Sequence, residues 1–513
     1  MINKDLERFI EGKCPFEVTN GQREMIAMTA DFLLSGDKDG LCLWRGYAGT
    51  GKTSILSALV RALDDLKQKT VLMAPTGRAA KVFALHAGHP AFTIHKRIYR
   101  QKTFSNETDN FLQNVNLQKH TLFIVDEASM ISGSTGGVGH FGSGCLLDDL
   151  IQFVYSGEGC RLMLVGDTAQ LPPVGEELSP ALSRRALEGY GLHVWEGELT
   201  QVVRQHDESG ILWNATRLRH WITADEYTGL PQVRIQGFPD IRRVPGDELI
   251  EALEEAYSRC GLDQTIVVTR SNKRANIYNN GIRGRILGRE EELTGGDQLL
   301  VAKNNYFWTA GQKDCSFDFL ANGDVAVVRK VRRTRDMYGF RFADVWLRFP
   351  DYDDVELEAT VLLDTLQSEA PALTKTQSDA LFFAVEADYM DITVRRERLK
   401  KLKTDSYFNA LQVKYAYAVT CHKAQGGQWQ RVFVDQGYVT EDMLTPDYVR
   451  WLYTAFTRAT ETLYLVNWPP NQMESEMGEN ASVRISDGLI QGLFIMRQMK
   501  NQSAENEKRI SAD

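Results

Sequence analysis

A glycine-rich segment near the N-terminus carries the residue types that bind phosphate. It reads Gly46-Tyr-Ala-Gly-Thr-Gly-Lys52-Thr53 and matches G-x-x-x-x-G-K-[ST] in full. Glycines let backbone N–H groups converge on phosphate oxygens, and the helix that follows adds partial positive charge at its N-terminus. Lys52 is expected to reach the β- and γ-phosphates of a nucleotide, and Thr53 is expected to ligate magnesium. The residues expected to surround the phosphates are Gly46, Gly49, Thr50, Gly51, Lys52 and Thr53.

A second segment supplies two carboxylates. Phe123-Ile-Val-Asp126-Glu127 is an apolar strand that ends in adjacent acids. Asp126 is expected to hold Mg²⁺, and Glu127 is expected to polarise the attacking water, which suits hydrolysis better than transfer to an acceptor. The two segments together predict an ATPase that uses ATP and Mg²⁺.

Short apolar runs alternate with amphipathic helical stretches along the chain, which indicates an α/β fold with parallel sheets. In such sheets, functional side chains lie at the carboxyl ends of the strands. Between the two sets of strands, two runs around a Met-Tyr-Gly turn are typical of twisted antiparallel strands and predict a small β-barrel insertion. The strands are expected at 41–45, 70–74, 121–125, 161–165, 264–269, 325–331, 340–349, 431–435 and 462–466.

The bulk composition limits the class of protein. A chain of 513 residues is too long for a single core, so two or three domains are expected. No apolar stretch reaches the roughly 20 residues that span a bilayer. Seven dispersed cysteines indicate a reducing cytoplasm and neither a disulfide framework nor a zinc site. The net charge of -9 means that any nucleic-acid contact must come from a local groove.

Six further motifs are spread over nearly the whole chain. They are Ala74-Pro-Thr-Gly-Arg78, Thr93-Ile-His95-Lys, Leu164-Val-Gly-Asp167-Thr-Ala-Gln170-Leu-Pro-Pro, Leu199-Thr-Gln-Val-Val-Arg204-Gln, Val419-Thr420-Cys-His422-Lys423-Ala-Gln425-Gly426 and Tyr453-Thr454-Ala-Phe-Thr457-Arg458-Ala. Their order and content resemble the superfamily 1 helicases, and more closely the RecD-like and Dda-like members of the B-type branch. The resemblance implies two RecA-like P-loop motor domains that clamp one ATP between them.

The resemblance also implies roles for single residues. Gln22, upstream of the loop, matches the glutamine that reads adenine, and Gln170 matches the one that senses the γ-phosphate. Arg204 and Arg458 match the two arginine fingers, a role that suits arginine because its planar fork fits phosphate. Nucleic-acid backbone contacts are expected at Pro75, Thr76, Thr93, His95, Thr420 and His422. Phe83 and Phe92 are candidates for base stacking, with core packing as the alternative.

Two departures from the A-type pattern favour the B-type branch. The third motif continues Leu171-Pro172-Pro173 where A-type helicases carry a base-stacking aromatic, and the fifth ends in Gln-Gly-Gly-Gln. Both features resemble enzymes that move 5′ to 3′, so the resemblance implies a 5′–3′ DNA helicase. An RNA-directed motor of the Upf-like kind and an ATP-switched subunit of a recombination or repair complex remain alternatives.

The expected organisation follows the motifs. The first motor domain is expected at 1–199, with a short pin-type insertion near 96–119, and the second at 200–290 and 411–470. A β-barrel-like domain occupies 291–410, and a C-terminal helix and flexible tail occupy 471–513. The glycine-rich segment 132–144 is expected to be a surface loop or a cover over a cleft. Expected partners are single-stranded DNA, duplex junctions and single-strand-binding or repair proteins. The protein is expected to be a monomer and to make no contact with a membrane.

Overall fold

The first domain is built on a parallel sheet. The computed structural model describes residues 2–100, 112–133, 143–203, 208–225, 227–309 and 319–474. The strands of this domain are β1 (Gly40–Gly46), β2 (Thr70–Ala74), β3 (Ala91–Thr93), β4 (Tyr99–Arg100), β5 (Leu112–Gln113), β6 (Leu122–Val125), β7 (Arg161–Gly166) and β8 (His193–Leu199). Its helices are α1 (Ile2–Glu11), α2 (Asn20–Leu34), α3 (Lys52–Asp65), α4 (Gly77–Ala87), α5 (Ile94–Ile98), α6 (Leu146–Tyr155) and α7 (Arg184–Glu188).

The order of the six sheet strands is β3-β2-β6-β7-β1-β8, and every pair is parallel. Strands such as Leu122–Val125 are buried along their whole length, which explains why they are continuous apolar runs and not alternating ones. The sheet places the loop after β1 beside the acids after β6 and the third motif after β7. The predicted α/β fold is confirmed for this domain.

The second domain and the barrel follow along the chain. In order, the elements are α8 (Gly210–Ala224), β9 (Ile241–Val244), α9 (Leu249–Cys260), β10 (Thr265–Thr269), α10 (Asn272–Gly281), β11 (Gln298–Val301), β12 (Val325–Met337), β13 (Phe340–Phe349), β14 (Val355–Leu362), α11 (Lys375–Ala387), α12 (Arg395–Lys403), β15 (Leu411–Tyr415), β16 (Ala418–Thr420), α13 (Cys421–Ala424), β17 (Trp429–Asp435), α14 (Pro446–Phe456) and β18 (Ala459–Val466). The second sheet has the order β16-β10-β17-β18-β9 and is parallel.

Strands β11 to β15 form a closed barrel, which confirms the predicted β-barrel insertion. The boundary predicted at 410 is wrong at its C-terminal side. Leu411–Tyr415 pairs antiparallel with β11 and parallel with β14, so it closes the barrel instead of joining the second motor sheet. A short apolar run does not reveal which of two sheets it joins, because both environments bury it equally.

The junction between the barrel and the second motor domain is short and firmly held. Ala416 and Tyr417 alone separate β15 from β16. The Asn279 side chain accepts a hydrogen bond from Ala418 N–H (2.8 Å) and donates to the Tyr415 carbonyl (3.4 Å). The Tyr417 hydroxyl donates to Oδ1 of the buried Asp297 (2.9 Å). The barrel interior and one face of the second sheet also share a continuous apolar core.

Several predictions about connecting segments fall partly outside the described residues. The base of the predicted pin is present as the antiparallel pair β4–β5, whereas 101–111 are not described. Most of the glycine-rich segment (134–142), the segment 204–207 and the tail 475–513 are likewise outside the description. Within the described ranges, no helix is long and apolar enough to cross a membrane.

Candidate active site

The phosphate loop turns tightly between β1 and α3 because glycines occupy its positive-φ positions. Gly49 has φ 77° and Gly51 has φ 83°. A Cβ atom at Gly51 would lie 2.6 Å from Nε2 of Gln22, so the close approach of helix α2 also requires glycine. Helix α3 begins at Lys52 without a side-chain cap, which leaves the N–H groups of its first turn available for phosphate oxygens.

The ammonium group of Lys52 lies against the first two residues of this loop. Its Nζ atom donates hydrogen bonds to the carbonyls of Gly46 (2.6 Å) and Tyr47 (2.8 Å) and lies 3.9 Å from Oδ2 of Asp167. Thr53, the next residue of the helix, lines the same cavity. Phosphate oxygens bound in the loop would compete with the two carbonyls for Lys52, in agreement with its predicted role.

The two predicted carboxylates lie at the carboxyl edge of the sheet, directly after β6. Glu127 has φ 54°, and its N–H donates to Oδ1 of Asp126 (2.8 Å). Burial, and next the charge of Glu127, raises the pKa of the Asp126 carboxyl. A divalent cation beside Asp126 would oppose that shift, because nearby positive charge favours the carboxylate.

The residues present fit magnesium held together with a nucleotide. The Thr53 hydroxyl and the Asp126 carboxylate are hard oxygen donors of the kind that Mg²⁺ prefers, and both line the cavity. Among the described residues, no group of three or more His, Cys, Asp or Glu side chains is placed to hold a metal alone. Magnesium at this site would therefore share its coordination with phosphate oxygens and water.

Gln170 brings an unpaired polar atom to the same cavity. Its side chain is 7% exposed, and its Oε1 atom has no hydrogen-bond partner within the described ranges. A buried amide oxygen without a partner is costly unless a ligand or water completes it. Its position in the cavity fits the predicted role as the residue that senses the γ-phosphate.

Arg458 reaches the cavity from the second domain. Its guanidinium donates to the carbonyls of Thr454 (3.0 Å) and Gly427 (3.2 Å) and to the Thr457 hydroxyl (3.2 Å). All three acceptors are neutral, and no carboxylate of the described chain forms an ion pair with it. Its charge is therefore available to an anionic ligand. The other predicted finger, Arg204, lies outside the described residues.

The amide of Gln22 is bonded within the protein at both ends. Its Oε1 accepts from Thr19 N–H (3.0 Å) in a capping box, and its Nε2 donates to the Thr50 carbonyl (3.0 Å). Adenine recognition by Gln22 stays a prediction, and it requires the amide to exchange one of these bonds for the base. Phe16 lies in the same cavity wall and was missed, because a single aromatic before a helix has no distinguishing spacing.

The cavity has a volume of about 290 Å³ and is enclosed by both RecA-like domains. The first domain contributes the phosphate loop, the two acids and Gln170, and the second contributes Arg458. The predicted residues that line it are Gln22, Gly49, Gly51, Lys52, Thr53, Asp126, Glu127, Gln170 and Arg458. Thr50 is fully buried beneath the loop, where its hydroxyl donates to the Tyr47 carbonyl (2.8 Å).

Helix α14 joins the second domain to the third motif of the first. The Thr454 hydroxyl accepts from Leu171 N–H (2.8 Å), and Gln425 donates to the Leu171 carbonyl (2.7 Å). The Tyr453 hydroxyl donates to Oδ2 of Asp167 (2.7 Å) and accepts from Ala48 N–H in the phosphate loop (2.8 Å). The sequence predicted a shared site but not these bonds, because spacing within one motif does not reveal contacts with another.

The three predicted nucleic-acid threonines all precede helices. Thr76 and Thr93 accept hydrogen bonds from the first turns of α4 and α5, so each hydroxyl still has a proton to donate. Thr420 precedes α13 and makes no side-chain cap bond. Pro75 is half-buried beside Thr76. The placement on both motor domains agrees with backbone contacts, which stay a prediction.

The two histidines of these motifs differ in environment. His95 is half-buried against the rings of Tyr99 and Phe319, and burial lowers its pKa to about 4. It is therefore neutral near pH 7 and would contact phosphate without a charge. His422 lies on the second motor domain with more of its surface exposed, and the part of its imidazole that is buried still lowers its pKa.

The two phenylalanines proposed for base stacking also differ. Phe83 is 1% exposed in the core of the first domain, so its interpretation as a stacking residue is wrong and the core alternative is confirmed. Phe92 is half-buried, with the cations of Lys96 and Arg97 within 5.8 Å and 5.6 Å of its ring centroid.

A phosphate loop, two acids after a neighbouring strand and an arginine from a second RecA-like domain define a P-loop ATP hydrolase of the two-domain motor class. Family comparisons agree with this class. An AAA domain family matches residues 17–224, and the UvrD-like helicase C-terminal domain family matches residues 415–466. Both family matches support the resemblance to the superfamily 1B helicases that the order of the motifs predicted.

The relatives are distant. An uncharacterized protein of Acanthamoeba polyphaga mimivirus is 22% identical over 493 residues, covering 82% of this chain and 93% of that protein. The ATP-dependent RecD2 DNA helicase of Deinococcus radiodurans is 24% identical over 436 residues, covering 83% of this chain but only 46% of that protein. The ATP-dependent DNA helicase RRM3 of Saccharomyces cerevisiae is 30% identical, covering 34% of this chain and 24% of that protein. A crystal structure of a Bacteroides Pif1 helicase with ADP-AlF3 and ssDNA aligns at 15% identity and a TM-score of 0.43, covering 92% and 98% of the two chains.

Proposed function

We propose that the chain moves along single-stranded DNA in the 5′ to 3′ direction and uses ATP hydrolysis to separate strands. The observation that carries this proposal is the shared cavity. Its hydrolytic residues Lys52 and Glu127 belong to one motor domain, and Arg458 belongs to the other. Any ligand that Arg458 helps to bind therefore draws the two domains together, and its release lets them part.

Domain closure would change the separation of the two groups of predicted strand contacts. Thr76 and Thr93 lie on the first domain, and Thr420 lies on the second. A strand held by both groups would be gripped alternately as the cleft closes and opens. Contacts of this kind are made to phosphates, so binding would tolerate any sequence and weaken with salt. Magnesium, when bound, neutralises charge on the phosphates.

DNA as the substrate is supported by the named activities of the RecD2 and RRM3 relatives. The direction is supported by Leu171-Pro172-Pro173, which replaces the base-stacking aromatic of the A-type branch. The antiparallel pair β4–β5 supports a strand-separating pin, because it brings the two ends of the insertion together as the base of a hairpin. The pair β4–β5 likewise supports duplex junctions as a ligand, and Thr53 and Asp126 in the cavity support magnesium-bound ATP.

Unwinding of forked duplexes that carry only a 5′ or only a 3′ single-stranded tail tests the proposal. We expect strand displacement from the 5′-tailed substrate, no displacement by Glu127→Gln, and little from the 3′-tailed one. Preference for the 3′ tail would overturn the direction. An ATPase stimulated more by RNA than by DNA would favour the RNA motor, and hydrolysis without displacement would favour an ATP-switched subunit.

A further inference from the structure

The Tyr453 hydroxyl connects three functional elements. It belongs to helix α14 of the second domain, yet both of its partners belong to the first. It accepts from the N–H of Ala48, the third residue of the phosphate loop, and donates to the carboxylate of Asp167 in the third motif. Tyr453 and Asp167 are each 1% exposed, so water does not substitute for either partner without a rearrangement.

The charges around this hydroxyl fix its donor direction. Burial, and next the charge of Asp167, raises the pKa of Tyr453 well above its usual range, so the phenol stays protonated. Asp167 Oδ1 is occupied by Ala169 N–H (2.9 Å), and its Oδ2 also faces the ammonium of Lys52 at 3.9 Å. Tyr453 therefore helps to hold the carboxylate next to the loop lysine.

The same helix leads to the arginine of the site. Helix α14 ends at Phe456, and Arg458 follows after one residue, with its Nε bonded back to the Thr454 carbonyl. A displacement of α14 relative to the phosphate loop thus moves Arg458 relative to the nucleotide. The Tyr453 bonds exist only when the two domains are together, because they cross from one domain to the other.

We propose that Tyr453 is a positioning residue that couples closure of the motor domains to ATP hydrolysis. Its hydroxyl holds α14 against both the phosphate loop and the third motif, and so sets Arg458 in register with the γ-phosphate. The part of this proposal that concerns stimulation by a bound strand rests on the proposed function. Tyr453 does not line the nucleotide cavity, whereas Ala48 and Asp167 do, so it acts through these two residues.

Tyr448 provides a matched control on the same helix. It is 2% exposed, and its hydroxyl donates to Oε1 of Gln436 (2.6 Å) within the second domain. Tyr448→Phe and Tyr453→Phe each remove one buried phenolic hydroxyl from α14, which makes one hydrogen bond at 448 and two at 453. A purely structural hydroxyl at 453 predicts the same behaviour for the two variants.

The test compares steady-state ATP turnover of both variants with and without single-stranded DNA. We expect Tyr453→Phe to lower the strand-stimulated kcat roughly tenfold, the cost of leaving one buried donor and one acceptor unmatched, with KM for ATP within about twofold. Tyr448→Phe is expected to keep the wild-type stimulated kcat. Equal kcat values for the two variants, at comparable melting temperatures, would overturn the proposal.

A double-mutant cycle with Asp167→Asn tests the route. If Tyr453 acts through Asp167, adding Tyr453→Phe to Asp167→Asn lowers kcat by less than about twofold, because the bond is already disturbed. Fully multiplicative effects would contradict this route, even if Tyr453→Phe alone proved unstable. The proposed function fails separately, if wild-type turnover does not respond to DNA at all.

Discussion

The guanidinium of Arg78 lies over the ring of Trp429, with Cζ 4.1 Å from the ring centroid. Arg78 is the second residue of helix α4 in the first motor domain, and Trp429 begins β17 in the second. Nη2 of Arg78 also donates to the Gln428 carbonyl (3.1 Å), beside the nucleotide cavity. The two domains are thus joined by a planar cation on an aromatic face as well as by helix α14.

Removing this stacked contact should weaken closure of the cleft. A cation–π pair of this kind contributes about 0.5–2 kcal/mol, so Arg78→Leu is expected to lower strand-stimulated turnover several-fold. Arg78→Lys keeps the charge but loses the planar fork, and should recover only part of the rate. Turnover is measured with saturating DNA, and Arg184→Leu, an exposed arginine paired with Glu188, serves as the control. Full recovery by lysine would show that charge alone matters.

The two catalytic roles in the first domain should separate in binding experiments. Lys52→Ala removes the cation that is predicted to face the phosphates and should lose both nucleotide affinity and turnover. Glu127→Gln keeps the shape of the side chain but removes the carboxylate that would act as general base. It should therefore bind nucleotide normally while kcat falls by about 10² to 10⁴. A fluorescent ATP analogue reports binding, and phosphate release reports turnover. Normal turnover by either variant would refute the assignment.

Arg458 should matter for hydrolysis more than for folding. Its three acceptors are neutral, so Arg458→Ala leaves no buried carboxylate unpaired, whereas a missing arginine finger costs about 10³ or more in kcat. Arg458→Lys supplies charge without the fork and should restore little. Single-turnover hydrolysis and melting temperature are measured together. A large loss of stability with modest loss of turnover would mark Arg458 as structural.

Thr420 offers a clean test of the predicted strand contacts. Replacing an N-cap threonine usually costs about 1 kcal/mol of stability, which would confound Thr76 and Thr93. Thr420 makes no cap bond, so Thr420→Val should leave the melting temperature unchanged. We expect its affinity for single-stranded DNA, measured by fluorescence anisotropy, to fall several-fold. Unchanged affinity would remove Thr420 from the strand path.

Asp324 should make stability depend on pH. This carboxyl lies in the barrel against helix α4, where a Cβ atom on Gly77 would come within 2.8 Å of its Oδ1. Burial raises its pKa to about 7, against the hydrogen bonds from Ala321 N–H and the Tyr352 hydroxyl. An aspartate in the unfolded chain has a pKa of about 4. The stabilisation from the protonated form is therefore complete below about pH 4 and is lost as pH rises through about 7.

The variant Asp324→Asn should remove this trend. Its free energy of unfolding is expected to rise relative to that of the wild type between pH 5 and pH 7.5. Above that range, the difference between the two free energies should stay constant. Urea unfolding at a series of pH values measures it. Asp354→Asn, at an exposed carboxyl paired with Arg348, is the control and should follow the wild type. An unchanged slope in Asp324→Asn would show that the carboxyl stays ionised.

Much of the first domain could be predicted because its chemistry is local in sequence. The spacing from Gly46 to Thr53 determines a loop, and the strand before Asp126 determines where the acids lie. The barrel was also predictable from the long runs on either side of Gly339, since a tight turn between such runs makes a hairpin. The confirmed elements are those whose signal lies within one continuous segment.

The remaining features depend on contacts between segments. Nothing local in Leu411–Tyr415 assigns it to the barrel, and the motif around Tyr453 does not reveal its bond to Ala48. The motif around His95 does not reveal that the ring of Phe319, from another domain, packs against its imidazole. Burial and long-range hydrogen bonding decide these cases, and neither is a property of a short stretch of sequence.

The two-residue junction at Ala416 and Tyr417 has a mechanical consequence. Because hydrogen bonds to Asn279 and Asp297 hold it on both sides, we expect the barrel to move together with the second motor domain. A fluorescent dye on an exposed barrel residue would therefore report every cleft movement in phase with the ATP cycle. Any flexibility that delays domain movement after ATP hydrolysis is then expected in other parts of the protein.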